Sequence, residues 1–96
     1  MKRISYTSHA LVRLETRNID KSEVSRILES PQKLYFDIVT GALVAIGPRM
    51  VLQGHWLIIV YTVEDDMAKI ITVIDTSSID NFIKRRLEKG RWMEAE

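Results

Sequence analysis

The sequence predicts an α+β domain in which two short N-terminal helices lead into an antiparallel sheet of about four strands, closed by a basic C-terminal helix. Three observations carry this. Near-continuous apolar, β-branched runs at residues 56–63 and 67–74 flank a short acidic turn, as the central strands of a buried hairpin do. Val24, Ile27 and Leu28 fall at i, i+3 and i+4, the spacing of one helix face. A second stripe, Ile79, Phe82, Ile83 and Leu87, is interleaved with cations.

Taken in order, residues 4–6 are a short first strand. Thr7 or Ser8 then supplies an N-cap hydroxyl for a helix over residues 9–17, whose core face is Ala10, Leu11 and Leu14. Asp20 caps the second helix, with Glu23 at the third helical position as in a capping box. Ser30-Pro31 ends that helix, because proline disfavours the α conformation in the residue before it. Residues 34–39 form a strand, Thr40-Gly41 a tight turn, and residues 42–46 the hairpin partner. Gly47-Pro48 breaks the run, residues 50–53 offer another short strand, and Gly54 breaks it again. The strongest hairpin follows, joined across Glu64-Asp65-Asp66. Tyr35 and Tyr61 read as packing residues and His55 as an ordinary turn histidine. After Asp75-Thr76-Ser77-Ser78, a strand end followed by a hydroxyl N-cap, the last helix covers residues 79–89. Gly90 suits its C′ position, and Trp92 can pack back on the final turn.

A length of 96 residues implies one domain spanning 1–96. Hydrophobic content of 46% is ample for a core and 28% charge is ordinary for a wetted surface. With no cysteine the fold has no disulfide framework, which suits a reducing, cytoplasmic setting. The apolar stretch at residues 56–61 falls far short of the roughly 20 residues a bilayer demands. The start, Met1-Lys2-Arg3-Ile4-Ser5, has no apolar run behind its charges and does not read as a signal peptide. Two histidines, with neither cysteine nor clustered acids, make no convincing metal site, and no glycine-rich phosphate loop or nucleophile elbow is present. No cofactor is expected.

Net charge is only +1, but its distribution is uneven. His9, Arg13 and Arg17 fall four apart and share one helix face; within the helix neither arginine has an acid at i±3 or i±4, and Asp20 lies beyond its end. Two readings stay open. Either Arg13 and Arg17 pair with Asp37 or Asp75 and His9 joins the cap, or the three grip a phosphate while His9 exchanges a proton near neutral pH. Lys84, Arg85, Arg86, Lys89 and Arg91 crowd the last helix; Lys84, Arg85, Lys89 and Arg91 are the candidate nucleic-acid contacts, against the simpler reading of a solvated face.

The motif His9-Ala10-Leu11-x-Arg13-Leu14-x-x-Arg17-x-Ile19, continued by Val24, Leu28, Ser30-Pro31 and the strand ending Ile71-Thr72-Val73-Ile74, resembles the domain of unknown function 4258 family. That family is in turn similar in element order to the BrnT and RelE/ParE toxins. The resemblance implies a curved antiparallel sheet packed by N-terminal helices, metal-independent RNA cleavage or RNA binding, and an antitoxin-like protein partner, with a homodimer also open. The resemblance carries over to His9, Arg13 and Arg17 only as the family's polar helix positions; for metal-free cleavage, His9 is the candidate acid/base, Arg13 and Arg17 the charge stabilisers, and Asp75 or Thr76 the group that orients His9. The chain lacks a tyrosine after Tyr61, so RelE-style chemistry at a C-terminal tyrosine does not carry over. The alternative is a toxin-fold relative without activity, an interaction module whose arginines are structural.

Overall fold

The computed structural model describes residues 3–95, which leaves Met1 and Lys2 of the charged start outside. The chain runs β1 (Arg3–Tyr6), α1 (Ser8–Thr16), α2 (Lys21–Glu29), β2 (Lys33–Asp37), β3 (Leu43–Pro48), β4 (Trp56–Glu64), β5 (Met67–Thr76), α3 (Ile79–Glu88) and β6 (Trp92–Glu94). The strands form a single six-stranded sheet in the order β1-β5-β4-β3-β2-β6. Every pairing is antiparallel except β1 with β5. The sheet is thus mixed, with six strands in place of the expected antiparallel four or so.

The β4–β5 hairpin lies in the interior of the sheet and is covered on both faces, as its near-continuous apolar character requires. On one face α1 and α2 bury Ala10, Leu14, Val24 and Ile27 against Ala45, Leu57, Ile59 and Ile70. On the other, Ile79 and Ile83 of α3 pack on Val44, Ile46 and Ile58. No described helix is long and apolar enough to cross a membrane.

Both N-terminal helices start where their caps dictate. The Thr7 hydroxyl accepts from Ala10 N at 3.1 Å, and Asp20 with Glu23 closes a reciprocal capping box. Leu11 departs from the expected core face and is 44% exposed; the nine-residue helix buries only Ala10 and Leu14, and Ile19 beyond its end completes the contact. Opposite Val60 and Tyr61 the register slips, so that Ile71 is an extra residue in β5. Such a bulge twists its strand. Here it marks where β1 stops and α1 departs, for Thr7 bonds Ile70 O through its N–H and Ile71 O through its hydroxyl.

Further expectations are corrected. Gly47 and Pro48 do not break the strand; β3 continues through them, opposite Leu57 and Trp56. Residues 50–53 form no strand and belong to a turn closed by Arg49 N to His55 O at 2.9 Å. Ser78 makes no side-chain cap; its N–H is bonded instead to the Thr76 hydroxyl at 3.0 Å. Leu87 is 42% exposed rather than buried. Trp92 stacks on Tyr35 at 5.3 Å and lies 5.8 Å from Phe82, but it also opens β6, a three-residue edge strand paired with β2.

Gly47 shows how closely α2 sits on the sheet. A Cβ there would meet Ile27 Cγ1 at 2.9 Å, and Ile27 is buried and hemmed in by the core. Gly47→Ala is expected to cost about 1–3 kcal/mol through overpacking, read as a lower urea midpoint at an unchanged slope.

Candidate functional site

Arg49 follows the last residue of β3 and is only 5% exposed. A buried guanidinium has to be met by acceptors, and four oxygens meet this one. Nε and Nη2 donate to the two carboxylate oxygens of Glu23, both at 3.0 Å, in a bidentate fork. Nη1 donates to Asp75 Oδ2 at 2.6 Å and Nη2 also to the carbonyl of Asn18 at 3.1 Å. Asn18 turns its backbone through the left-handed region at φ 54° just past α1, a conformation asparagine tolerates better than most residues. Glu23 is the same residue that closes the capping box, so one carboxylate fixes the start of α2 and holds Arg49.

Asp75 carries the network outward. Its second oxygen lies 2.7 Å from His55 Nδ1. Burial pushes this carboxyl up, but the hydrogen bonds from His55 and Arg49 outweigh burial and hold it below the ordinary carboxylate range. An ionised Asp75 only accepts, so His55 Nδ1 carries the hydrogen. Nε2 is left without a protein partner among the described residues, on a side chain 35% exposed. For Arg49 the pairing with Glu23 and Asp75 outweighs burial and pushes the guanidinium higher still. Among the described residues no buried side-chain nitrogen or oxygen lacks a partner.

The residues expected from the sequence fall into separate places. His9 is exposed and its Nε2 lies 3.1 Å from the Thr72 hydroxyl, so neither Asp75 nor Thr76 orients it. Arg13 is half-buried and Arg17 exposed. Neither pairs with Asp37 or Asp75: Asp37 is taken by Arg91 at 3.1 Å and by the N–H groups of Val39 and Thr40, and Asp75 by Arg49 and His55. Among the described residues no carboxylate lies within 4 Å of either α1 arginine. Nor do any three acidic or histidine side chains gather as a metal site among the described residues.

The four basic residues of the C-terminal segment also separate. Arg85 and Lys89, with Arg86, line a cavity of about 420 Å³ together with Thr76, Ser78, Asn81 and Phe82. Lys84 is not part of that lining, and Arg91 is bound to Asp37. Sequence reasoning missed Glu23, Arg49 and His55. The available signal was Asp75 itself, an acid ending an otherwise apolar strand, which demands a basic partner from elsewhere in the chain.

A family model described as a domain of unknown function (DUF4258) matches residues 6–75. No curated protein and no solved structure matches the chain. The matched span takes in Asn18, Glu23, Arg49, His55 and Asp75 and stops short of α3.

Proposed function

We propose, from the premise that the chain belongs to the domain of unknown function DUF4258 family, that it is a toxin-type, metal-independent ribonuclease in which His55 moves the proton. The observation that supports this is the 2.7 Å pairing of His55 Nδ1 with Asp75, which leaves Nε2 free. An imidazole held through one nitrogen by a carboxylate is an oriented general base on the other.

RNA suits such a site because it brings its own nucleophile. His55 Nε2 takes the proton of a 2′-hydroxyl, whose oxygen attacks the adjacent phosphorus. The bond from phosphorus to the 5′-oxygen breaks, and the imidazolium returns the proton to that oxygen. The products are a 2′,3′-cyclic phosphate and a 5′-hydroxyl end. Charge on the pentacoordinate phosphate needs a cation. Arg17 is suited, being exposed and directly before Asn18, whose carbonyl touches Arg49. His9 sits at the other end of α1, about 12 Å from Arg17 at 1.5 Å of rise per residue, so in this proposal the acid/base role passes to His55. An antitoxin-like partner, a RelE/BrnT-like fold and a cytoplasmic setting belong to the same proposal.

The test is RNA cleavage by His55→Ala beside His9→Ala, with and without ribosomes, and with product ends identified. His55→Ala is expected to abolish cleavage and His9→Ala to leave it within about threefold. The reverse order would return the role to α1. A second reading, a non-catalytic interaction module, is favoured by the exposed Met50, Val51 and Leu52 beside His55. A parent protein that cleaves no RNA under either condition would select it.

A further inference from the structure

We propose that the cavity beside α3 is a nucleotide site, taking a phosphate on Arg85, Lys89 and the hydroxyls of Thr76 and Ser78, and a base on the guanidinium of Arg86. This stands apart from proton transfer at His55, and each can fail alone.

The sign of the lining comes first. Three cations, two hydroxyls and an amide meet there with Phe82, and no carboxylate joins them. Arg49 and Arg91 are each bound to an aspartate. Among the described residues Arg85, Arg86 and Lys89 have no carboxylate within 4 Å. Asn81, Arg85 and Lys89 follow one another at i, i+4 and i+8, and like charges so spaced repel. An anion in the cavity relieves that repulsion.

The shape then narrows the ligand. A volume of about 420 Å³ lies within the usual range for small-molecule sites, and exceeds what a bare phosphate fills. Arg86 is laid over aromatic rings, its Cζ 4.8 Å from the Phe82 centroid and 5.8 Å from that of Trp92. Backed in this way, the guanidinium is a ready-made plane, and such planes stack nucleobases. Ser78, the N-cap residue whose side chain makes no cap bond, and Asn81 in the first turn stand at the start of the ten-residue α3, where backbone N–H groups and the helix dipole also favour anions.

Calorimetric titration of the full chain at low salt tests this with four probes: inorganic phosphate, uridine, uridine 5′-monophosphate and a 2′-O-methylated hexauridylate that cannot be cleaved. The monophosphate or the hexamer is expected to bind at least tenfold more tightly than both phosphate and uridine. Stronger binding of the hexamer assigns the site to a strand, and stronger binding of the monophosphate to a free nucleotide. Arg86→Ala should weaken binding at least tenfold. Because that change also strips packing from Phe82 and Trp92, Arg85→Ala, at an exposed position, provides the same loss without touching the core. Lys84→Ala, on α3 but outside the cavity, should stay within twofold. The proposal is overturned by phosphate binding as well as the monophosphate, by Lys84→Ala weakening binding as much as Arg85→Ala, or by no binding at all. Nucleotide binding by a protein that cleaves no RNA would leave this site standing and remove the ribonuclease reading alone.

Discussion

Arg49→Met is expected to destabilise the protein by about 3–5 kcal/mol, the cost of removing one partner from a buried ionic set. The reason lies in what stays behind. Glu23 and Asp75 would remain as carboxylates at 7% and 10% side-chain exposure with their main cation gone. Both sit on segments that cannot swing outward, one in the first turn of α2 and the other near the end of β5. Arg49→Lys should recover little, since an ammonium cannot reproduce a bidentate fork to Glu23 while also reaching Asp75. Urea unfolding at neutral pH measures the loss. A change below about 1 kcal/mol for methionine would mean that water reaches these groups and that the network contributes little.

Asp75→Asn is expected to strike stability and chemistry together. The amide no longer neutralises Arg49, so the variant should lose several kcal/mol, somewhat less than Arg49→Met because Glu23 still pairs with the guanidinium. It also removes the anion that keeps hydrogen on His55 Nδ1. Under the proposed ribonuclease role, cleavage should fall by about 10²–10⁴, the usual worth of a positioned acid/base, and the pH profile of the residual activity should change shape. A merely structural Asp75 would lower the melting transition and leave that profile alone. The acid limb of stability adds a separate readout. The folded-state pKa values of Asp75 and Asp37 are held down, each by hydrogen bonds that outweigh burial. Such groups contribute fully above the unfolded carboxylate value of about 4 and lose their contribution as pH falls through the lower folded value. Unfolding measured from pH 2 to 7 should therefore show the parent weakening below about pH 4. Asp75→Asn should be flatter over the same range, with only the Asp37 share remaining.

The parts of the fold legible in the sequence are those whose signals are local. Asp20 and Glu23 announce a helix start within four residues, and the 56–63 and 67–74 runs announce central strands by composition alone. β6 announces nothing, because a three-residue edge strand is too short to show a period and depends on β2 for its existence. β1 was visible as a strand, but its parallel partner was not. The site failed for the same reason. Arg49 is 26 residues from both Glu23 and Asp75, and His55 is 20 from Asp75. No spacing rule joins residues so separated; only the sheet does. His9, Arg13 and Arg17 attracted notice because a shared helix face is a local pattern, whereas His55 beside Asp75 is a tertiary fact.

The parallel pairing of β1 with β5 also sets an order of assembly. Arg3 lies beside Met67 and Tyr6 beside Ile70, so the start of the chain waits for more than sixty residues to be made before its ladder can form. Closing so long a loop carries an entropic cost that is met only when the β4–β5 hairpin already exists. During synthesis α1 and α2 emerge before the hairpin, with their apolar faces uncovered. The hairpin is therefore the expected nucleus on which they settle, with β1 docking late. Changes within residues 56–76 should slow folding, whereas changes in β1 should mainly hasten unfolding.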